Sequence, residues 1–149
     1  DVYKRQHKPR VDFYKLDTEN RTRVNRFCCQ LAEKVVKMGN AVFVKTRDAA
    51  ETRFMDELMW TFSDSSFLAH AIQGDAEDSS APVIIGHHAA SADAYLLINL
   101  SDDLPENALQ YERIAEIIDA EPQTLHRGRV RYSAYKQDAY PLHYHEITT

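Results

Sequence analysis

The sequence predicts an α/β domain of three layers, α/β/α, with a largely parallel β-sheet at its centre. Short apolar runs rich in β-branched residues alternate along the chain with longer segments in which apolar residues recur every three or four positions. The chain has 149 residues, of which 44% are hydrophobic and 28% charged, as is ordinary for one globular domain. Strands that alternate with helices at these lengths favour a parallel sheet covered on both faces.

The first half of the chain predicts three strands and two helices. Polar residues at 17–20 offer N-caps for the first helix, and Gly39 stands where its C-terminal cap belongs. Alternation supports the first strand, whereas the third has only weak strand character. In order, the expected elements are a strand at residues 11–16, a helix with apolar positions from Val24 to Met38, a strand at 41–45, a helix from Asp48 to about Trp60 and a weak strand at 66–72.

The second half predicts a loop, two strands, two helices and a tail. In order, we expect a surface loop at residues 73–82, strands at 83–86 and 95–100, a helix from Pro105 to Asp119, a helix from about Gln123 to Gln137 and a C-terminal tail after Tyr140-Pro141. The pair Glu121-Pro122 indicates the break between the two helices. We expect residues 10–147 to form the single domain and residues 1–9 to be a disordered tail or a remnant of upstream sequence.

Composition narrows the possible partners and compartments. A net charge of −5 argues against binding of polyanions by the protein as a whole, so any such contact needs a local basic patch. No stretch is apolar and long enough to span a bilayer, and the N-terminus has no apolar signal-peptide core. Cys28 and Cys29 are neighbours in a predicted helix and are poorly placed to form a disulfide. We therefore expect a cytoplasmic protein without a membrane partner.

The glycines and histidines argue against catalysis and metal binding. The four glycines are too far apart for a G-x-G-x-x-G or Walker A sequence, and the turn after the first strand is acidic. The pairs His87-His88 and His143-x-His145 have no carboxylate or cysteine at metal-ligand spacing and are expected to be exposed in a loop and in the tail. His70 is expected to be hydrogen-bonded and partly buried. We predict no catalytic residue, cofactor or metal site.

A basic segment with tyrosines, at residues 127–136, is the candidate working surface. On a helix, one face would carry Arg129, Tyr132, Ser133 and Lys136. Two cations beside an aromatic ring suit an acidic peptide that ends in an apolar side chain and a free carboxylate. The alternative is a solvated helix face whose tyrosine covers the core.

Two groups of apolar residues lie outside this segment. Trp60, the single tryptophan, is either a core residue or a binding hot spot. Phe67 and Leu68, followed by His70, belong either to the core or to a partner interface. Residue type does not decide between these alternatives.

Several short sequence blocks, taken in order, resemble the chi subunit family of bacterial DNA polymerase III. Each block is short, but their order and spacing together are specific, and the likeness extends from about Arg10 to Ile147. The blocks are VDFY at 11–14, RFC at 26–28, LAEK at 31–34, MDELMWTF at 55–62, SFLAH at 66–70, PVIIG at 82–86, LINL at 97–100, YERIAEII at 111–118 and RVRYSAYK at 129–136.

The resemblance implies an accessory subunit of the clamp-loader assembly in DNA replication, without an active site. Members of this family pair with the psi subunit and bind the acidic C-terminal tail of single-stranded DNA-binding protein, which links the polymerase indirectly to single-stranded DNA. In some bacteria they also pair with a repair helicase through the surface that psi uses. The family fold resembles a nucleotide-binding domain without the phosphate loop, in keeping with the glycine pattern.

The resemblance also assigns residues to two sites. It places Trp60, Arg129 and Tyr132 in the pocket for the tail, to which the helical spacing adds Ser133 and Lys136. The psi-facing surface comprises Phe67, Leu68 and His70. Ser133 stands where related chains can carry a lysine, and the family pattern has a basic residue near Leu125 that is missing here. The candidates to compensate are Lys136, Arg131 and His126.

Three alternative functions remain open from the sequence. The chain could pair only with psi or a helicase, without binding the tail. It could bind single-stranded DNA directly through residues 127–136, with Tyr132 or Tyr135 stacking on bases. It could also be a degenerate nucleotide-binding enzyme.

Overall fold

A seven-stranded parallel β-sheet forms the centre of the computed structural model, which describes residues 7–75, 80–89 and 94–148. The order of the strands across the sheet is β3-β4-β2-β5-β6-β1-β7. The edge strand β3 is short, whereas β6, β1 and the other edge strand β7 are the longest strands and lie side by side in parallel. The strands are β1 Arg10–Leu16, β2 Val42–Lys45, β3 His70–Ile72, β4 Val83–Gly86, β5 Leu96–Asn99, β6 Arg113–Ile118 and β7 Leu142–Ile147.

Helices cover the sheet unequally on its two faces. Helices α1 (Arg21–Lys37) and α2 (Ala49–Thr61) pack on one side, here called the front face, and α3 (Pro122–Gln137) packs on the other, the back face. The connections that contain α1 and α2 cross the sheet in one direction, and the connection that contains α3 crosses in the opposite direction. Since parallel crossovers are right-handed, opposite directions place their helices on opposite faces. The predicted three-layer parallel fold is confirmed.

The two faces enclose separate hydrophobic cores. Alternation along β1 directs Phe13 to the back core and Leu16 to the front core. In the front core lie Cys28 and Cys29, which are free and fully buried. Burial raises the pKa of both thiols, that of Cys29 to about 12. These thiols are therefore core residues and poor nucleophiles.

Local signals at the helix ends are confirmed. Asn20 caps α1, and its side-chain oxygen accepts hydrogen bonds from the N–H groups of Thr22 and Arg23. Asp48 caps α2 in the same way, through the N–H of Glu51. Gly39 follows α1 with a φ of 88°, in the left-handed region that glycine adopts without strain.

The helix predicted from Pro105 to Asp119 is wrong. This segment contains a short 3-10 turn at Ala108–Gln110 and then the central strand β6. A strand with helices or loops on both faces has an almost continuous apolar run, and periodicity alone does not separate such a run from a helix. In β6 the charged Glu116 interrupts the apolar run, so the apolar residues on either side of it recur at a spacing similar to that of a helix.

The predicted C-terminal tail is also wrong, because it forms the edge strand β7, which pairs with β1 in parallel. The weak strand at 66–72 is shorter than predicted and begins at His70. Part of the predicted 73–82 loop, residues 76–79, lies outside the described residues, as do residues 1–6 of the predicted tail. Pro9 is buried, and Lys8 Nζ lies 3.3 Å from Asp138 Oδ1, so this end of the tail packs on the domain.

A buried ion pair holds α3 on the back face. Arg131, which is 3% exposed, donates from Nε to Glu116 Oε1 over 3.0 Å, and Glu116 is fully buried on β6. Tyr135 donates its hydroxyl proton to the other carboxylate oxygen over 2.7 Å, and Asn99 donates to both oxygens. Burial raises the pKa of Tyr135, and the Glu116 charge raises it further. Arg131 is therefore unavailable for surface contacts, and its expected compensating role in the tail pocket is wrong.

We expect Arg131→Met to lower the free energy of unfolding by about 3–5 kcal/mol, because it leaves the Glu116 carboxylate buried without its cation. Arg129→Met on the exposed side of the same helix is the matched control and should change stability by about 0.5 kcal/mol or less. Urea denaturation of both variants measures the difference. Equal stability losses would contradict the role assigned to the pair.

A second charged cluster joins the strands on the front face of the sheet, around Asp12 of β1. Asp12 is buried and accepts hydrogen bonds from Arg113 Nη2 at 2.6 Å, His145 Nε2 at 2.8 Å and Arg10 Nη2 at 3.0 Å. Burial by itself would raise the pKa of Asp12, but hydrogen bonds from His145, Arg113 and Arg10 outweigh it and hold the pKa at about 2. The cluster ties β1 to both of its neighbours, β6 and β7.

Since the pKa of Asp12 lies below its ordinary value of 3.8, its ionised form stabilises the fold above about pH 4, and this contribution is lost as the pH falls toward about 2. We therefore expect Asp12→Asn to be less stable than the wild type at about pH 6, and the difference to shrink between about pH 4 and pH 2. Thermal unfolding followed by circular dichroism across this range tests it. Exposed Asp64→Asn should follow the wild-type curve, and a constant gap for Asp12→Asn would argue against the linkage.

Candidate functional site

The back face has a cleft between helix α3 and the edge strand β7, here called the α3/β7 cleft, of about 540 Å³. Gly128 permits the close approach of α3 to β6, since a Cβ atom there would lie 2.8 Å from Ile118 Cγ2. The cleft opens where α3 passes over β1 and β7. Its lining residues are Phe13, Lys15, Ile118, Leu125, Gly128, Arg129, Tyr132, Ser133, Tyr144 and Glu146.

Aromatic rings form the floor of this cleft. Tyr132 meets the buried ring of Phe13 edge-on, with the ring centroids 5.1 Å apart. Tyr144 on β7 meets Tyr132 edge-on at 6.5 Å and is about half exposed. Such edge-to-face packing fixes the rings in place. The floor therefore offers a preformed apolar surface to one side chain of a ligand.

Charged groups stand at the rim of the cleft. Arg129 on α3 and Lys15 on β1 provide two cations, and Glu146 on β7 provides one carboxylate. Lys15 lines the same cleft as Leu125, so a basic side chain lies in the region where the family pattern has one. Ser133 also lines the cleft and is exposed, which leaves room beside the floor. The balance at the rim is positive and suits an anionic ligand.

The structure brings Arg129, Tyr132 and Ser133 together as the helical spacing predicts. Lys136 and His126 are exposed on α3 but do not line the cleft. Trp60 belongs to α2 in the front layer, so the sheet separates it from the cleft. The prediction that Trp60 and Tyr132 line one pocket is therefore wrong, because helices on opposite crossovers lie on opposite faces.

Trp60 instead joins Phe67 in an exposed aromatic pair on the front side, here called the Trp60/Phe67 patch. Trp60 is 56% exposed and Phe67 is 71% exposed, and their ring centroids lie 5.6 Å apart. Large exposed aromatic side chains that touch each other are typical of a binding hot spot. Leu68, predicted in the same surface, is 2% exposed and belongs to the front core.

His70 supports this patch from below. Its side chain is fully buried, with Nδ1 2.6 Å from the carbonyl oxygen of Leu68 and Nε2 3.0 Å from the carbonyl oxygen of Asp56. The ring lies 4.5 Å from the Trp60 ring. The imidazole thus ties the segment that carries Phe67 to helix α2. The prediction that His70 belongs to the contact surface is therefore wrong. Its side chain is not exposed and lies behind the Trp60/Phe67 patch.

At the carboxyl edge of the sheet, where doubly wound folds bind phosphates, side chains of the protein itself engage the helix N-termini. The N-terminal N–H groups of the three helices are capped by Asn20, Asp48 and Glu121. Arg21 bridges Glu51 at 2.7 Å and Asp119 at 3.2 Å across the same edge. Helix N-termini attract anions through free N–H groups, and carboxylates placed there repel phosphate. The geometry is therefore unfavourable for a nucleotide.

The histidines occupy structural positions. His145 binds Asp12 and stacks on Tyr14, with centroids 4.8 Å apart, so it lies in the sheet and not in an exposed tail. His87 and His88 stack on each other at 4.2 Å after β4. Among the described residues no three His, Cys, Asp or Glu side chains are placed to hold a metal ion.

In the same part of the chain, no helix has the length and hydropathy needed to cross a membrane.

Lys15, Tyr144 and Glu146 are among the cleft residues that the sequence interpretation does not identify. Tyr144 and Glu146 lie two apart on β7, in the segment that the sequence predicts to be a tail, although its first residues, LHYH, do alternate. Lys15 lies two residues after Phe13 on β1 and therefore points to the same face. Strand alternation was the available signal for all three.

The comparisons with known proteins agree with one another. A family model described as "DNA polymerase III chi subunit, HolC" matches residues 9–143. The chain is 30% identical over 139 residues to the DNA polymerase III subunit chi of Pseudomonas aeruginosa, with 93% of this chain and 96% of that protein covered. It is 24% identical over 136 residues to the subunit chi of Escherichia coli K12, covering 87% and 92%.

A solved structure and the family match together establish fold and family. The fold is similar to part of a crystal structure of T4 UvsW, with a TM-score of 0.65 at 9% identity, covering 97% of this chain and 42% of that one. At this identity the likeness concerns architecture alone. The family match spans most of the chain, and its relatives are covered over almost their full length. The chain belongs to the chi subunit family of DNA polymerase III.

Proposed function

We propose that the protein is a non-catalytic adaptor in DNA replication that binds the acidic C-terminal tail of single-stranded DNA-binding protein in the α3/β7 cleft. The observation that carries this proposal is the combination of an aromatic floor with two cations at its rim, Lys15 and Arg129. A peptide that ends in an apolar side chain and a free carboxylate needs both features in one place. The membership in the chi family supplies the context of the replicative polymerase.

Each group in the cleft has a separate task in this proposal. Arg129 forks onto a carboxylate of the peptide, and Lys15 neutralises a second one. The rings of Tyr132 and Tyr144 contact the terminal apolar side chain. Glu146 disfavours a peptide that places a carboxylate against β7, and so helps to set its direction. Because Arg129 is exposed, the charge contacts are weak and screened by salt, with a Debye length of about 8 Å at physiological ionic strength.

We propose that the Trp60/Phe67 patch binds the psi subunit or, in its place, a helicase. This patch lies on the front side, whereas the α3/β7 cleft opens on the back. The two partners therefore do not compete for space, as an adaptor between the polymerase and coated template requires. His70 positions the patch and makes no contact with the partner itself.

The alternative functions have less support from the geometry. Direct DNA binding by residues 127–136 loses two of its cations, because Arg131 is buried and Arg127 pairs with Asp102 at 3.1 Å. A degenerate nucleotide-binding enzyme is disfavoured by the capped helix N-termini at the carboxyl edge. Pairing with psi alone leaves the preformed floor of the α3/β7 cleft without a purpose.

A titration with a labelled acidic tail peptide tests the cleft. We expect Arg129→Ala and Lys15→Ala each to weaken binding about two- to fivefold, as removal of one exposed charge contact does. Arg127→Ala, outside the cleft on the same helix, is the matched control and should bind like the wild type. Trp60→Ala should also bind normally. Loss of binding in Trp60→Ala, together with full binding in Arg129→Ala, would show that the tail binds on the front face and that its assignment to the α3/β7 cleft is wrong.

Co-purification with psi tests the Trp60/Phe67 patch. Truncation of a hot-spot aromatic costs about 2 kcal/mol or more, so Trp60→Ala and Phe67→Ala should each weaken the pairing roughly thirtyfold. Arg129→Ala should retain it, since it lies on the back. Normal pairing in both aromatic variants, with their folding verified by circular dichroism, would refute the assignment.

A further inference from the structure

Helix α1 has a basic stripe on its solvent side, formed by Arg23, Arg26, Lys34 and Lys37. With 100° per residue, these four cations lie within an arc of about 80°, and they extend over about 21 Å along the helix axis. All four are exposed. In a protein of net charge −5, such a cluster is a local departure from the overall charge.

Most of this charge is not neutralised by neighbours. Lys37 has a loose partner in Glu33, with 3.9 Å between Nζ and Oε2. Arg26 donates to the carbonyl oxygen of Phe62 over 3.4 Å, which orients the guanidinium without reducing its charge. In the described ranges of the chain, no carboxylate lies within ion-pair distance of Arg23 or Lys34.

The stripe leads into a small cleft at the C-terminal end of α1. This cleft has a volume of about 140 Å³ and lies between α1 and the first residues of the strands. Lys34 belongs to both the stripe and the cleft, whereas Arg113 in the cleft wall is paired with Asp12, which also lines the cleft. The rings of Tyr14 and Tyr95 line it, and Met38 stands at its mouth, 69% exposed. A track of cations thus ends at partly exposed aromatic rings.

We propose that this surface binds single-stranded nucleic acid, with backbone phosphates along the α1 stripe and a base in the cleft against the ring of Tyr95, since the Tyr14 ring already stacks on His145. Proteins that bind single strands without sequence preference combine a basic track with aromatic rings for the bases. A membrane surface fits poorly, because the arc of the stripe contains Gln30 and no apolar anchor. An acidic protein segment would use the charges but would have no need of the flat rings.

The proposed surface is independent of the α3/β7 cleft, since α1 covers the front face and the cleft opens on the back. The protein could then hold a tail peptide and a nucleic-acid strand at once. Binding through four cations to a single strand should depend on salt with a slope of up to about −2.8 in log affinity against log salt concentration. The affinity should therefore be measurable at low salt and fall steeply as salt increases.

Fluorescence anisotropy with the full chain and a labelled oligothymidine tests the proposal, at about 50 and 200 mM salt. Arg23→Glu/Lys34→Glu should weaken binding roughly tenfold or more at the lower salt, and Met38→Glu at the cleft mouth should weaken it as well. Arg127→Glu/Lys136→Glu makes the same change of net charge on α3 and should bind like the wild type. The tail-peptide titration should be unaffected by the α1 variant, which separates this surface from the proposed tail site.

Several outcomes would overturn the proposal. The proposal fails if the wild type does not bind the oligonucleotide at the lower salt concentration. It also fails if the α1 and α3 variants lose the same amount of affinity, because that would indicate a general charge effect. If a polyglutamate peptide competes at lower concentration than the oligonucleotide, the stripe is a site for an acidic protein. Unchanged binding in the α1 variant, with its folding verified by circular dichroism, removes the stripe from consideration.

Discussion

The carboxylate of Glu116 lies in the interior of the protein, on the central strand β6, and a charge in that position requires partners. Arg131 and Tyr135 supply them from helix α3, and Asn99 supplies another from β5. Arg131 and Tyr135 are one turn apart on α3, so their hydrogen bonds to Glu116 fix both the rotation and the position of this helix on the back face. The α3/β7 cleft depends on this arrangement, since Arg129 and Tyr132 project from the same turns toward β7.

The order of the strands distributes the surfaces of the molecule. The two crossovers that contain α1 and α2 run one way and place these helices in front, and the crossover from β6 to β7 runs the other way and places α3 behind. The aromatic patch of Trp60 and Phe67 and the basic stripe of α1 consequently lie on one side, and the α3/β7 cleft lies on the other. The sheet therefore separates the α3/β7 cleft from both surfaces on the front.

The parallel sheet resembles those that bind nucleotides, yet its carboxyl edge is used differently. Where such folds present free N–H groups to phosphate, Asn20, Asp48 and Glu121 accept hydrogen bonds from the helix N-termini. Ion pairs of Arg21 with Glu51 and Asp119 cross the same edge. The architecture is thus that of a nucleotide-binding sheet, while the helix N-termini that would hold a phosphate are engaged within the protein.

The sequence by itself determined what depends on neighbours along the chain. It predicted the caps of α1 and the N-cap of α2, predicted the three helices that exist, and placed Arg129, Tyr132 and Ser133 on one face of α3, because helical spacing is a local property. Only the tertiary structure decided the rest. Strand β6 is buried on both faces, so its apolar run imitated a helix, and β7 is ordered by pairing with β1. The structure adds Lys15 to the cleft and removes Trp60 from it for the same reason: strand pairing and crossover direction bring distant residues together or set the whole sheet between them.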